Sequence, residues 1–146
     1  MAVLVVRHAK AGDRDRWDGR DEARPLTPDG LAQAEALVEQ LADVKVDRIL
    51  SSPYLRCTQT VAPLAVARGL TVEVTEDLAE GAGPMARGLV AAGGDVVLCT
   101  HGDVMWEILA GLDLADGAPM KKGSTWVLDV QGGRVVDARY LPPPAP

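Results

Sequence analysis

The sequence predicts an α/β domain with three layers, α/β/α, built on a mostly parallel central sheet that ends in a C-terminal β-hairpin. Three observations carry this. Val3-Leu4-Val5-Val6 is a run of apolar, mostly β-branched residues, the pattern of a strand buried on both faces. Val96-Val97-Leu98-Cys99 repeats the pattern far down the chain. Between and beyond these runs, strand-like and helical stretches alternate, which implies a parallel sheet covered on both sides.

The elements follow in order. Residues 11–24 alternate Asp and Arg around Trp17 with no helical or strand period, and read as a surface loop, either a solvated connection or a pocket rim. Thr27 is placed to cap a helix that opens with Pro28, and Leu31, Ala34, Leu37, Val38 and Leu41 give it an apolar stripe. Residues 46–50 read as a strand ending at Ser51-Ser52-Pro53, and 54–68 as a helix in which Pro63 is an irregularity. Arg56 falls in the first turn of that helix, where the dipole disfavours a cation. It is therefore expected either to be exposed or to share an anionic ligand. A strand over 70–74 and a Gly-rich loop over 77–84 lead to a helix through Leu89 and Val90. After His101 another amphipathic helix carries Val104, Met105, Ile108 and Leu109 and stops at Gly111. Residues 124–130 and 134–140 flank Gln131-Gly132-Gly133 as a hairpin. One domain over 1–141 and a proline-rich tail over 142–146 are expected.

A chain of 146 residues can bury a core without metal or disulfide support. A net charge of −6 argues against nucleic acid or anionic membrane as general partners. Cys57 and Cys99 form no CxxC pair and lie in apolar patterns, so they are expected to be reduced, structural and cytoplasmic. The short apolar run after Met-Ala, followed by charge, is expected to be neither a signal peptide nor a spanning segment.

The chemistry sits at the strand ends. The only two histidines, His8 and His101, each follow a buried strand, and the carboxyl ends of such strands face the ligand crevice. A neutral imidazole is a nitrogen nucleophile, and Arg7, Arg56 and His101 can surround an anion held before it. Phosphoryl transfer needs donors placed around three oxygens, which the planar arginine fork suits. A phosphohistidine route is the economical assignment. Two histidines without a clustered carboxylate make a poor metal site, so neither a metal nor another cofactor is expected.

Arg7-His8-Ala9-Lys10 resembles the R-H-G or R-H-A signature of the histidine phosphatase superfamily, which includes the phosphoglycerate mutases. The similarity extends to residues 24–30, 51–60 and 100–102, in the family's order. Compact length and the Arg-Pro-Leu-Thr block look most like SixA phosphohistidine phosphatases and the histidine phosphatase domains fused to Nudix hydrolases. The resemblance implies a phosphoglycerate mutase-like fold, His8 as nucleophile, Arg7 and Arg56 as phosphate clamps, and His101 as a second imidazole. Leu78-Ala79-Glu80 matches the place of the family's acid, which protonates the leaving oxygen. Glu80 is thus either that donor, favouring phosphate esters or nucleotides, or a solvated loop carboxylate. Lys10, Thr27 and Arg20 are candidate substrate contacts, with Thr27 equally explained as a helix cap. Lys10 stands where mutases carry an acidic residue, so mutase activity is not expected. The implied function is a metal-independent phosphatase for a phosphate monoester, a nucleotide or a phosphohistidine protein, working alone or beside a Nudix partner. The alternative is an idle phosphate-binding domain.

Overall fold

Alternation along β1 (Ala2–Arg7) divides the core in two. Val3 and Val5 point to one face of the sheet and Leu4 and Val6 to the other, and all four are buried. The computed structural model describes residues 1–145; Pro146, the last residue of the expected tail, lies outside them. After β1 come two 3-10 turns (Arg14–Arg16 and Asp21–Ala23), then α1 (Pro28–Gln40), β2 (Arg48–Ser51), α2 (Leu55–Arg68) and β3 (Val72–Val74). A third 3-10 turn (Glu76–Leu78) precedes α3 (Gly83–Ala92), β4 (Val96–Thr100), α4 (Gly102–Ala110), β5 (Thr125–Gln131) and β6 (Arg134–Leu141). The six strands lie in the order β3-β2-β4-β1-β5-β6, with the first four parallel and the last two antiparallel. This is the expected three-layer arrangement.

Leu4 and Val6 pack with Leu37 of α1 and Val61 and Leu64 of α2. Val3 and Val5 pack with Ala86 and Val90 of α3 and Met105 and Ile108 of α4. Each such side chain contributes roughly 1.5–3 kcal/mol through burial. Because β1 and β4 are neighbours whose following helices leave to opposite faces, a crevice opens between their carboxyl ends. His8 and His101 stand at that crevice, and the His8 amide donates to the Thr100 carbonyl at 3.0 Å.

Local signals explain the boundaries. Thr27 caps α1 as expected, its Oγ1 accepting from Gly30 N at 3.0 Å, with Pro28 at the helix start. Gly69, at φ 65°, closes α2 in the left-handed conformation. The turn between β5 and β6 uses Gly132 and Gly133, both at positive φ, as a two-residue hairpin of this twist requires. Two expectations shift. β3 begins at Val72 because Gly69 and Leu70 still close hydrogen bonds to α2, and Pro63 lies inside α2 without ending it. Pro142 is tied down, since Gln40 Nε2 donates to its carbonyl at 2.8 Å.

Candidate active site

His8 follows β1 directly and is only 5% exposed. Its Nδ1 lies 2.8 Å from the Ala9 carbonyl and must donate to it, so Nε2 carries the lone pair. Burial, chiefly, with lesser repulsion from His101, Arg56 and Arg7, lowers the imidazole pKa to about 3, although the Ala9 bond opposes this. At neutral pH the His8 imidazole is therefore uncharged, with the Nε2 lone pair free. Its loop is fixed from both sides. Ala9 N donates to Thr60 Oγ1 at 2.9 Å, and Thr60 Oγ1 in turn donates to Arg56 O at 2.7 Å. The His8 carbonyl accepts from Gly123 N at 2.9 Å.

The ring of His101 is 5.6 Å from that of His8, centroid to centroid, and is also buried. Ser52 Oγ accepts from Tyr54 N and shares a 2.8 Å hydrogen bond with His101 Nε2; with Ser52 as its donor, His101 Nδ1 carries the proton and is buried without a hydrogen-bond partner. His101 is also the N-cap residue of α4 and makes no side-chain cap. The first amides of α4 thus face the crevice with the positive end of the helix dipole.

Arg7 donates from Nη1 to the Met120 carbonyl at 2.6 Å and leaves Nε buried without a partner. Its guanidinium lies against Gly102, where a Cβ would come within 2.8 Å of Arg7 Cζ. Gly102→Ala is therefore expected to displace the guanidinium and lower kcat/KM about 10-fold. Melting temperature should hold or rise, since alanine is favoured over glycine in a helix by up to ~1 kcal/mol. Unchanged turnover in that variant would remove Arg7 from the site.

Of the two expectations for Arg56, exposure or a shared anionic ligand, the structure excludes exposure. Arg56 is fully buried in the first turn of α2, under the Tyr54 ring at 4.8 Å. Its Nη1 donates to the Asp21 carbonyl (2.9 Å), and Nη2 donates to Asp21 Oδ2 (3.1 Å) and Glu80 Oε1 (2.8 Å). Its Nε, like those of Arg7 and His101's Nδ1, is a buried donor without a partner. Glu80 Oε1 also accepts from Arg14 Nη2 at 3.2 Å and lies 3.7 Å from His101 Nδ1. The Arg56 and Arg24 contacts hold the Asp21 carboxyl below its usual pKa, against a desolvation that would raise it.

Arg7, His8, His101 and Glu80 line one hollow of about 840 Å³. Arg56 does not line it; it is covered by the two carboxylates. Residues 11–24 prove ordered, because Arg24 is buried, bonds Asp21 Oδ1 at 3.1 Å and donates to the Gly12 carbonyl. The candidate substrate contacts Lys10, Thr27 and Arg20 lie outside the hollow. Lys10 turns to Asp29 (4.0 Å) and Arg20 to Glu22 (3.3 Å), while the Thr27 hydroxyl is used as cap and as donor to the Lys10 carbonyl. Ser52, Thr60, Asp21, Arg24 and Lys122 were not singled out from sequence. Ser52 and Thr60 lay within the residue 51–60 block and Arg24 opened the residue 24–30 block, the signals that were available.

The family model for the histidine phosphatase superfamily, branch 1, matches residues 3–91, more than half of the chain and inclusive of His8, Arg56 and Glu80. The chain belongs to the histidine phosphatase superfamily. An 8-oxo-(d)GTP phosphatase of Mycolicibacterium smegmatis is 39% identical over 155 residues, covering 97% of this chain and 48% of that protein. The chain spans about half the length of the curated relatives it matches. Among solved structures, the SixA protein of Agrobacterium tumefaciens superposes with a TM-score of 0.79 at 28% identity, covering 94% of this chain and 96% of that one. A protein histidine phosphatase SixA complexed with tungstate gives the same TM-score at 20% identity, covering 99% and 97%, a likeness of fold alone. The chain thus shares the phosphoglycerate mutase-like architecture that its sequence blocks implied.

Proposed function

We propose that this chain hydrolyses a phosphorylated small molecule by moving the phosphoryl group to His8 Nε2 and from there to water. The observation that carries this is a neutral imidazole whose free lone pair is Nε2, set in one hollow with Arg7, His101 and Glu80, where Arg7 Nε and His101 Nδ1 are buried without a hydrogen-bond partner. Donors fixed before the reaction lower the barrier where charge develops on the phosphoryl oxygens. The lone pair of Nε2 forms the P–N bond as the P–O bond to the leaving group breaks. Water then attacks phosphorus, and orthophosphate departs with His8 restored.

Glu80 is the candidate donor for the leaving oxygen. Its Oε1 is taken by Arg14 and Arg56, and the arriving phosphoryl oxygens compete for the Arg56 guanidinium, which frees the carboxylate to take a proton from solvent and pass it to the leaving oxygen. An ester leaves poorly without that proton, so Glu80 favours a phosphate ester or nucleotide, in keeping with the name of the mycobacterial relative. A phosphohistidine protein as substrate is favoured instead by the near-complete match to a SixA structure without large insertions.

Brief incubation with a labelled phosphodonor should leave acid-labile, alkali-stable label on His8. No label from any donor would favour an idle phosphate-binding domain. Glu80→Gln should reduce ester hydrolysis about 100-fold and leave phosphoramidate hydrolysis within about threefold. Equal loss on both substrates would remove the proton-donor role. Two buried free cysteines fit a reducing, cytoplasmic setting; among the described residues no helix is long and apolar enough to cross a membrane.

A further inference from the structure

The hollow holds more than phosphoryl transfer needs. A volume of about 840 Å³ falls in the range of pockets that enclose a whole small-molecule ligand, roughly 300–1,000 Å³. The donors assigned to the transferred group occupy only the part around His8, and two further lining residues have no role in that step.

One is Trp106 on α4. A tryptophan ordinarily buries most of its ring, yet Trp106 is 48% exposed. It faces the hollow and also borders an adjoining space of about 320 Å³ beside Gly81 and Pro84. The indole thus stands at the mouth with open volume against it.

The other is Lys122, in the loop before β5. Of the four cations that line the hollow, Arg14 is bonded to Glu80 and Arg24 to Asp21. Among the described residues, Arg7 and Lys122 make no ion pair. Arg7 is accounted for by the transferred phosphoryl group. Lys122 is an exposed side chain at the edge of the hollow, and partial desolvation, with repulsion from Arg7, Arg24, Arg56 and Lys10, lowers its pKa. Asp13, Glu80 and Asp103 also line the hollow, but among the described residues none of them forms an ion pair with Lys122, whose ammonium is therefore available to an anionic ligand.

We propose that Trp106 and Lys122 form a leaving-group subsite for a nucleoside di- or triphosphate, with the indole stacking on the base and the ammonium meeting a phosphate that is not transferred. The inference rests on the phosphoryl-transfer function above and names its substrate class. The terminal P–O bond breaks as the P–Nε2 bond forms, the shortened nucleotide departs as an anion, and water later releases orthophosphate. Base stacking on an aromatic ring is worth roughly 1–3 kcal/mol, which corresponds to about a 5- to 150-fold change. The ammonium acts on charge, so its effect grows with phosphate number.

The test compares wild type, Trp106→Ala, Trp106→Phe and Lys122→Met on nucleoside tri-, di- and monophosphates, on phosphoramidate and on a phosphohistidine peptide. Trp106→Ala should lower kcat/KM for every nucleotide at least 5-fold, Trp106→Phe should recover most of that, and both should act on phosphoramidate like wild type. Lys122→Met should lower triphosphate turnover at least 10-fold and monophosphate turnover less than threefold. Equal losses on phosphoramidate and nucleotides would overturn the subsite, as would losses confined to the peptide, which would mark Trp106 as a protein-docking residue. Calorimetric binding of a nucleoside imidotriphosphate analogue, weakened by Trp106→Ala, reads the subsite without turnover. It therefore separates failure of the subsite from failure of His8 as a nucleophile.

Discussion

His8→Asn is expected to abolish turnover, with kcat/KM down on the order of 10⁴-fold or more, because the only other imidazole at the crevice, His101, has its Nε2 engaged with Ser52. The same variant should be relatively more resistant to acid. The His8 pKa in the folded protein is about 3, against 6.5 for the ordinary imidazole. Between those values the unfolded chain binds a proton at this position and the folded chain does not, so stability falls as pH drops through that window and is fully present above it. From pH 7 to pH 4 the loss assigned to His8 is about 3 kcal/mol at 1.36 kcal/mol per unit. Urea unfolding at the two pH values should show His8→Asn losing about 3 kcal/mol less than wild type. Parallel losses would mean that His8 is not a buried neutral imidazole. Nitrogen-15 spectra give a direct check, since the chain has only two histidines and His8 should remain the Nδ1–H tautomer well below pH 6.

What the sequence made legible, and what it did not, follows from the range of the interactions involved. Buried strands announce themselves through contiguous β-branched residues, so the positions that follow them, His8 and His101, could be placed at one crevice before any coordinates. The cap at Thr27 and the glycine turn at Gly132-Gly133 are likewise local, each decided within about four residues. Arg56 was expected to be exposed or to share an anionic ligand; its burial against the protein's own Asp21 and Glu80 was not legible. Asp21 lies 35 positions away in a segment without period, and its approach depends on the Arg24 bond that folds that segment. Lys10 and Arg20 were drawn toward the pocket by charge alone, whereas nearby Asp29 and Glu22 turn them outward. Lys122 and Trp106 carried no signal in sequence, because their meaning comes from which neighbours are already spent on partners.

The carboxylates over Arg56 lead to the second large effect. Arg56→Met should lower kcat/KM by about 10²–10³-fold, the scale of losing a fixed donor to developing charge. It should also destabilise the fold by about 2–3 kcal/mol, less than the roughly 3–5 kcal/mol typical of stranding a buried charge, because Asp21 and Glu80 are each about a third exposed. Arg56→Lys should rescue little, since one ammonium cannot span Asp21 and Glu80 as the planar fork does. Asp21→Asn separates the two effects. The Asp21 carboxylate holds the guanidinium that a phosphoryl group must recruit, so it acts as an internal competitor for the substrate anion. Without its charge, inorganic phosphate and vanadate should inhibit several-fold more tightly, while Arg56 remains in place through the Asp21 carbonyl. In Arg56→Met, the further change Asp21→Asn should restore part of the lost stability, because two like charges no longer face each other without a cation. Weaker vanadate inhibition in Asp21→Asn would reverse the assignment and make Asp21 a support that aims Arg56, since a competitor can only be a hindrance to the anion it displaces.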